Sequence, residues 1–240
     1  MTTTTTTITQ TRPARQRRAG ARETSSWPVP LALVLLSLIP VVSGSLRLIE
    51  IAGGPQLMPT NPRIDASPAP LVVHVVGAVV YALLGAFQFS ARLRRRHPGW
   101  HRRSGRILAV TGLAVAFSGL WMTLFYPGAP GGTLLWTIRL LVSTTMAAAI
   151  VLGFTAIRRR DITAHRAWMM RAYALGLGAG TQAFTEGIGE ALFGTGDLSK
   201  AISMGSGWVI NALVAEWAIR RPVVRRARRA RGRAAIAVSR

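Results

Sequence analysis

The sequence predicts an all-α integral membrane bundle of six transmembrane helices with both termini in the cytoplasm. Three observations predict it: six long apolar runs, arginines gathered in alternate gaps between those runs, and proline- or glycine-rich turns in the remaining gaps. A helix needs about 20 mostly apolar residues to cross the hydrocarbon core, with a usable range of roughly 17 to 25.

The first run extends from about Pro28 to Ile51; it is uncharged up to Arg47, and Pro40 is a candidate kink. The second is Leu71 to Phe89, introduced by Pro68 and Pro70. The third runs from about Ile107 to Tyr126 and stops at Pro127. The fourth, Thr133 to Ile157, carries one charge, Arg139. The fifth, about Trp168 to Phe193, and the sixth, about Ile202 to Ile219, are rich in Gly, which lets membrane helices pack closely. The loop from about Ala52 to Pro70 reads as irregular, and PGAPGG at Pro127–Gly132 reads as a tight turn joining an antiparallel pair.

Basic residues set the orientation. Five arginines lie in the N-terminal tail, seven between Arg92 and Arg106, four between Arg158 and Arg166, and nine from Arg220 to Arg240. Six crossings bring all four groups to one side. The other side has only Arg63 and Lys200 in its loops, with Arg47 near a helix end. Positive residues mark the cytoplasmic side, so the expected location is the plasma membrane with cytoplasmic termini. The division is a basic disordered tail over 1–26, a six-helix membrane domain over 27–221, and a second basic tail over 222–240.

The formal net charge is +22, from 30 Lys+Arg against 8 Asp+Glu. That balance fits nucleic acid or an anionic membrane surface. The arginines flank the apolar runs and form no reading face, so no nucleic-acid partner is expected. The lipid bilayer is the expected partner, with anionic headgroups at the basic tails; the sequence names no protein partner. The chain has no cysteine, which excludes disulfides and thiolate metal sites. No metal site is expected.

Ionisable residues at membrane depth are costly, so each is a functional candidate. His74, Gly77, Tyr81, Gly85 and Gln88 recur at steps of three and four and share one helix face. In the fifth run Arg171, Gly178, Gln182, Thr185 or Glu186, and Gly189 or Glu190 form a comparable face. Depth places His74, Arg139, Glu186 and Glu190 near the external surface. That cluster reads either as an ion pair neutralising Arg139 or as a proton or cation site. At the cytoplasmic side His101 and His165 open the third and fifth runs, and Gln88 and Arg171 lie at similar depth. These histidines read either as interfacial anchors beside Trp100 and Trp168 or as paired axial ligands of haem b. No cofactor is identified beyond that haem alternative. Glu216 and Arg220 read as an i,i+4 pair. GLGAG at Gly176–Gly180 follows no strand and reads as packing.

The motifs H-x-x-G at His74, LLGAFQF at Leu83–Phe89, HRRSGR at His101–Arg106 and RRRDITAHRAWMMRAYAL at Arg158–Leu175 together resemble a prokaryotic multi-pass membrane family, domain of unknown function 2306. The resemblance covers roughly Leu31 to Arg221. It implies a membrane protein and carries no established activity. An arginine frequent further along the fifth helix of that family is replaced here by the region of Gln182. Three functional readings follow: a binding, transport-accessory or structural protein without enzymatic turnover; a haem- or quinone-linked electron-transfer protein; and a small proton-coupled transporter.

Overall fold

The computed structural model describes the backbone of residues 28–238 and side chains as far as Arg221. The expected disordered tail over 1–26 lies outside the described residues. The described residues form nine helices in order: α1 (Pro28–Ile51), α2 (Pro62–Ala66), α3 (Ala69–Gln88), α4 (Ala91–Arg96), α5 (Pro98–Phe125), α6 (Gly132–Arg158), α7 (Ile162–Gly176), α8 (Gly178–Phe193) and α9 (Asp197–Val238). No strand occurs among them.

Five helices are long and apolar enough to cross a membrane: α1, α3, α5, α6 and the Asp197–Arg221 part of α9. Their outer faces are apolar. Val110 is 70% exposed, Leu141 59% and Leu213 65%, a surface suited to lipid rather than water. Along these helices serine and threonine hydroxyls donate back to the carbonyl four residues earlier, as Ser37 does to Leu33, Thr123 to Gly119 and Thr144 to Leu140. In hydrocarbon that contact satisfies a group that water would otherwise serve.

The fifth apolar run is not one helix. It divides at Leu177 into α7 and α8, each too short to span alone. Gly176, Gly178 and Gly180 crowd the junction and weaken helix propagation. The Leu177 amide still donates to Tyr173, but the Gly180 amide donates to Leu177, a tightened three-residue step. The irregular 52–70 loop also contains structure. Pro62 sits in the first turn of α2, where proline costs no hydrogen bond, and Ile64 is buried beneath it. Glu50 pairs with Arg47 at 2.7 Å and accepts the Leu57 and Met58 amides, which fixes the chain between α1 and α2.

The two ends of the bundle differ because α7 and α8 take different neighbours. α7 packs against α3, α5, α6 and α9. The core lies there: Tyr81, Leu108, Met146, Ile150, Ala172 and Tyr173 are buried together. Tyr173 donates its hydroxyl to the Ala82 carbonyl at 2.7 Å, and its ring lies 5.7 Å from that of Tyr81. Beyond Leu177, α8 packs against α9 and α1. A Cβ at Gly180 would collide with the Leu36 carbonyl, so that glycine lets α8 lie directly on α1. The end of the bundle centre nearer α2 therefore lacks the filling that α7 gives the arginine-rich end. The segment 222–238, expected as a tail, continues the helix of α9.

Candidate functional site: a cationic cavity at the α2 end

A cavity of about 310 Å³ occupies the space that α8 vacates. Its walls come from Asn61, Arg63 and Ile64 around α2, Leu71 and His74 of α3, Gly119, Met122 and Thr123 of α5, Tyr126 and Ala129 of the α5–α6 turn, Arg139 and Ser143 of α6, Gln182 of α8, and Met204 and Trp208 of α9. None of these side chains is a carboxylate, and two are arginines. The volume falls at the lower end of the range for small-molecule sites.

Arg139 lies seven residues into α6, about 10 Å along the helix from its start. Its guanidinium donates to the Met204 sulfur at 3.9 Å, and no carboxylate lies within 4 Å of it among the described residues. The ion pair expected with Glu186 is not formed. Glu186 instead holds Lys200 at 2.9 Å, from α8 to α9. Glu190 is exposed, and its backbone carbonyl accepts the Gly194 amide. Of the four residues expected to cluster, His74 and Arg139 share the cavity wall; Glu186 and Glu190 do not line it. An arginine at the centre of a membrane helix costs roughly 2.5–3.5 kcal/mol on insertion scales and less toward its ends; two turns in, the Arg139 guanidinium with no carboxylate within 4 Å still calls for water or a ligand.

His74 Nδ1 lies 3.1 Å from the Val115 carbonyl and 3.0 Å from Ser118 Oγ. A carbonyl only accepts, so Nδ1 carries the proton and the neutral ring keeps its lone pair on Nε2. Gln182 is buried and donates to the Met204 carbonyl at 3.0 Å. Arg63 donates from Nε to Asn61 Oδ1 at 3.1 Å, and both residues line the cavity. A second, smaller cavity of about 230 Å³ shares Arg63 and Tyr126 with the first and is otherwise lined by Ser67 and by apolar and aromatic groups, Trp121 and Phe125 among them.

The other candidates lie at the arginine-rich end. Gln88 donates to Ser104 Oγ at 2.6 Å, and Ser104 donates to the Trp100 carbonyl. Arg171 reaches Glu216 of α9 at 2.5 Å and stacks over Trp168 at 4.7 Å. Glu216 also receives Arg220 at 3.3 Å, so the expected local pair is one arm of a three-residue network. His165 Nδ1 lies 2.8 Å from the Gly153 carbonyl, which leaves its Nε2 available. His101 Nδ1 is buried without a hydrogen-bond partner among the described residues. One fixed tautomer and one orphaned ring nitrogen are the donor chemistry of bis-imidazole ligation. The adjacent interior, however, is filled: Met169 and Trp168 press on Gly153, and Tyr173 presses on Gly85.

Sequence reasoning missed Arg63, Ser143, Met204 and Trp208 as cavity residues. Arg63 had one usable signal, a basic residue on the arginine-poor side. Met204 and Trp208 are four apart on one face of α9, but nothing in the sequence joins that face to Ser143 of α6.

Several long apolar helices with exposed apolar outer faces define a multi-pass membrane protein. The chain belongs to the family described as "Predicted membrane protein (DUF2306)", whose model matches residues 71–219. No curated protein and no solved structure matches the chain.

Proposed function

We propose that this is a six-span plasma-membrane protein, both termini cytoplasmic, that binds a small molecule in the Arg139 cavity without turning it over. Its role is that of a binding or transport-accessory protein. In this reading α7 and α8 together make the fifth crossing, and the cavity opens on the external side. The observation that carries it is the unpaired Arg139 guanidinium in the wall of a 310 Å³ cavity. Function is the reason a membrane protein retains such a charge.

Filling the cavity tests this. A Cβ at Gly119 would already touch His74 and Ser143 in the cavity wall, so Gly119→Leu and Ser143→Phe push side-chain volume into the space. Ligand-dependent thermal stabilisation of the detergent-purified protein, measured across a panel of small metabolites, is expected in the wild type and lost in both variants. Identical responses in wild type and variants would refute binding at this cavity.

A second reading, haem b between His101 and His165, draws on the orphaned His101 nitrogen, but it requires Trp168, Met169 and Tyr173 to give way, because they fill the adjacent interior. When bound, haem would supply one-electron chemistry; the two imidazoles would hold and orient it. The visible spectrum of protein expressed with ample haem, oxidised and then dithionite-reduced, decides this reading. Haem bands lost in both His101→Ala and His165→Ala would establish it, and a colourless protein removes it. Proton transport through a carboxylate cluster is less well supported, because Glu186 is committed to Lys200.

A further inference from the structure

We infer that the ligand of the cavity is an oxyanion, a carboxylate or phosphate group, carried on an apolar body. This rests on the proposed binding role and names its chemical class.

Three independent features converge. First, the cavity wall has two guanidiniums, Arg63 and Arg139, and no carboxylate. Guanidinium presents a planar fork of donors matched to carboxylate and phosphate oxygens. Second, no carboxylate at this end of the molecule is directed to Arg139: Asp65 and Glu190 are exposed and line neither cavity, and three others are engaged elsewhere. Glu50 is held by Arg47 and two amides, Glu186 by Lys200, and Asp197 by the Gly131 amide at 2.8 Å. The protein has thus satisfied these acids while leaving Arg139 to its 3.9 Å sulfur contact. Third, the neighbouring aromatic cavity meets the cationic one at Arg63 and Tyr126. Its walls, Trp121 and Phe125, are 37% and 62% exposed on the outer face of α5, which offers an apolar chain a way in from the lipid. The head of such a ligand would be held by Arg139 and Arg63, with Ser143 available as a further donor and the body against the aromatic wall.

A cation or a neutral amphiphile finds no such complement. His74, with its proton held on Nδ1 by Val115, offers a neutral ring with a lone pair on Nε2; its protonation would add a third cation and strengthen oxyanion binding.

The test uses full-length protein in nonionic detergent, titrated calorimetrically with octanoate, octyl phosphate, inorganic phosphate, octanol and octylammonium. Octanoate or octyl phosphate is expected to bind, with octanol and octylammonium weaker by about tenfold or more, one charge-assisted contact. Arg139→Gln is expected to remove that preference. Arg63→Gln, on the short surface helix and remote from the core, is expected to weaken it with folding intact, so the inference does not depend on the stability of the Arg139 variant. Native mass spectrometry from phosphatidylglycerol and phosphatidylcholine nanodiscs identifies the source. A retained anionic lipid lost in Arg63→Gln indicates a lipid headgroup, whereas displacement by inorganic phosphate indicates a soluble anion; either supports the oxyanion. Equal binding of octanol or octylammonium, abolished by Gly119→Leu, would overturn the oxyanion class while leaving the cavity a binding site. Absence of binding by every probe would overturn the inference, and an unchanged panel response in Gly119→Leu would overturn the binding role with it.

Discussion

Glu186 and Lys200 pair at 2.9 Å from α8 to α9, and this contact leaves Arg139 without its nearest candidate counter-ion. Both side chains are a little over a quarter exposed. Lys200 is the only lysine in the chain, and its flexible stem lets it reach a carboxylate near the helix ends, where a rim charge remains partly hydrated.

Breaking the pair should therefore cost little. Glu186→Gln or Lys200→Gln is expected to change stability by less than about 1 kcal/mol, as for other partly exposed ion pairs. The swapped double variant, Glu186→Lys with Lys200→Glu, should recover most of the loss. Thermal unfolding in detergent measures all three. A large loss on Glu186→Gln, not restored by the swap, would mean that Glu186 serves Arg139 instead.

The Arg171–Glu216 contact should matter more. It joins α7 to α9 at 2.5 Å, Arg171 also covers Trp168, and Glu216 is shared with Arg220. Losing a hydrogen bond to a charged group costs about 1.5–3 kcal/mol where solvent is scarce, and these side chains, about a third exposed, belong at the lower end. Arg171→Ala should destabilise more than Arg220→Ala, whose side chain is 76% exposed. Equal effects in a double-mutant cycle with Glu216→Gln would overturn that ordering.

Tight packing around the two core tyrosines predicts intolerance of added volume. A Cβ at Gly112 would fall within van der Waals contact of both the Tyr81 ring and the Ile150 side chain. Gly112→Val is expected to cost about 1–3 kcal/mol through overpacking. Gly105, with open space around its Cβ position, serves as the control, and Gly105→Ala should be neutral or stabilising in the helix. Comparable losses at both positions would show that the tyrosine pair is not tightly enclosed.

Helix faces were legible in the sequence, whereas the pairing of charges between helices was not. The period of three and four through His74, Gly77, Tyr81, Gly85 and Gln88 correctly indicates an inward face, since Gly77, Tyr81 and Gly85 are buried. GLGAG also behaves as packing, with Gly178 against Trp208 and Gly180 against Leu36. By contrast, depth alone placed Glu186 with Arg139. Their actual relation depends on the order of helices around the bundle and on competition from Lys200, and neither is written in spacing. Arg171 and Glu216 are 45 residues apart and share no periodicity. The break at Leu177 stayed hidden because an apolar, glycine-rich run satisfies the hydropathy of a single span. The three glycines that permit the break also serve close packing, so composition does not separate the two uses.

The break also makes topology the most exposed prediction. Five helices qualify as spans individually, and an odd number would put the two termini on opposite sides. The basic groups around Arg95, Arg159 and Arg226 fall on one side only if α7 and α8 together cross once. Together they run from Ile162 to Phe193, which at 1.5 Å per residue is ample for a roughly 30 Å core even with a bend at Leu177. Alkaline phosphatase and fluorescent-protein fusions at Gly128, Arg160, Gly196 and Arg240 measure the outcome. Exterior signals are expected at Gly128 and Gly196, and cytoplasmic signals at Arg160 and Arg240. If α7 and α8 instead form a re-entrant pair, Gly196 reports on the same side as Arg160 and Arg240 moves outside. That result would place nine C-terminal arginines against the orientation rule and remove the six-span arrangement.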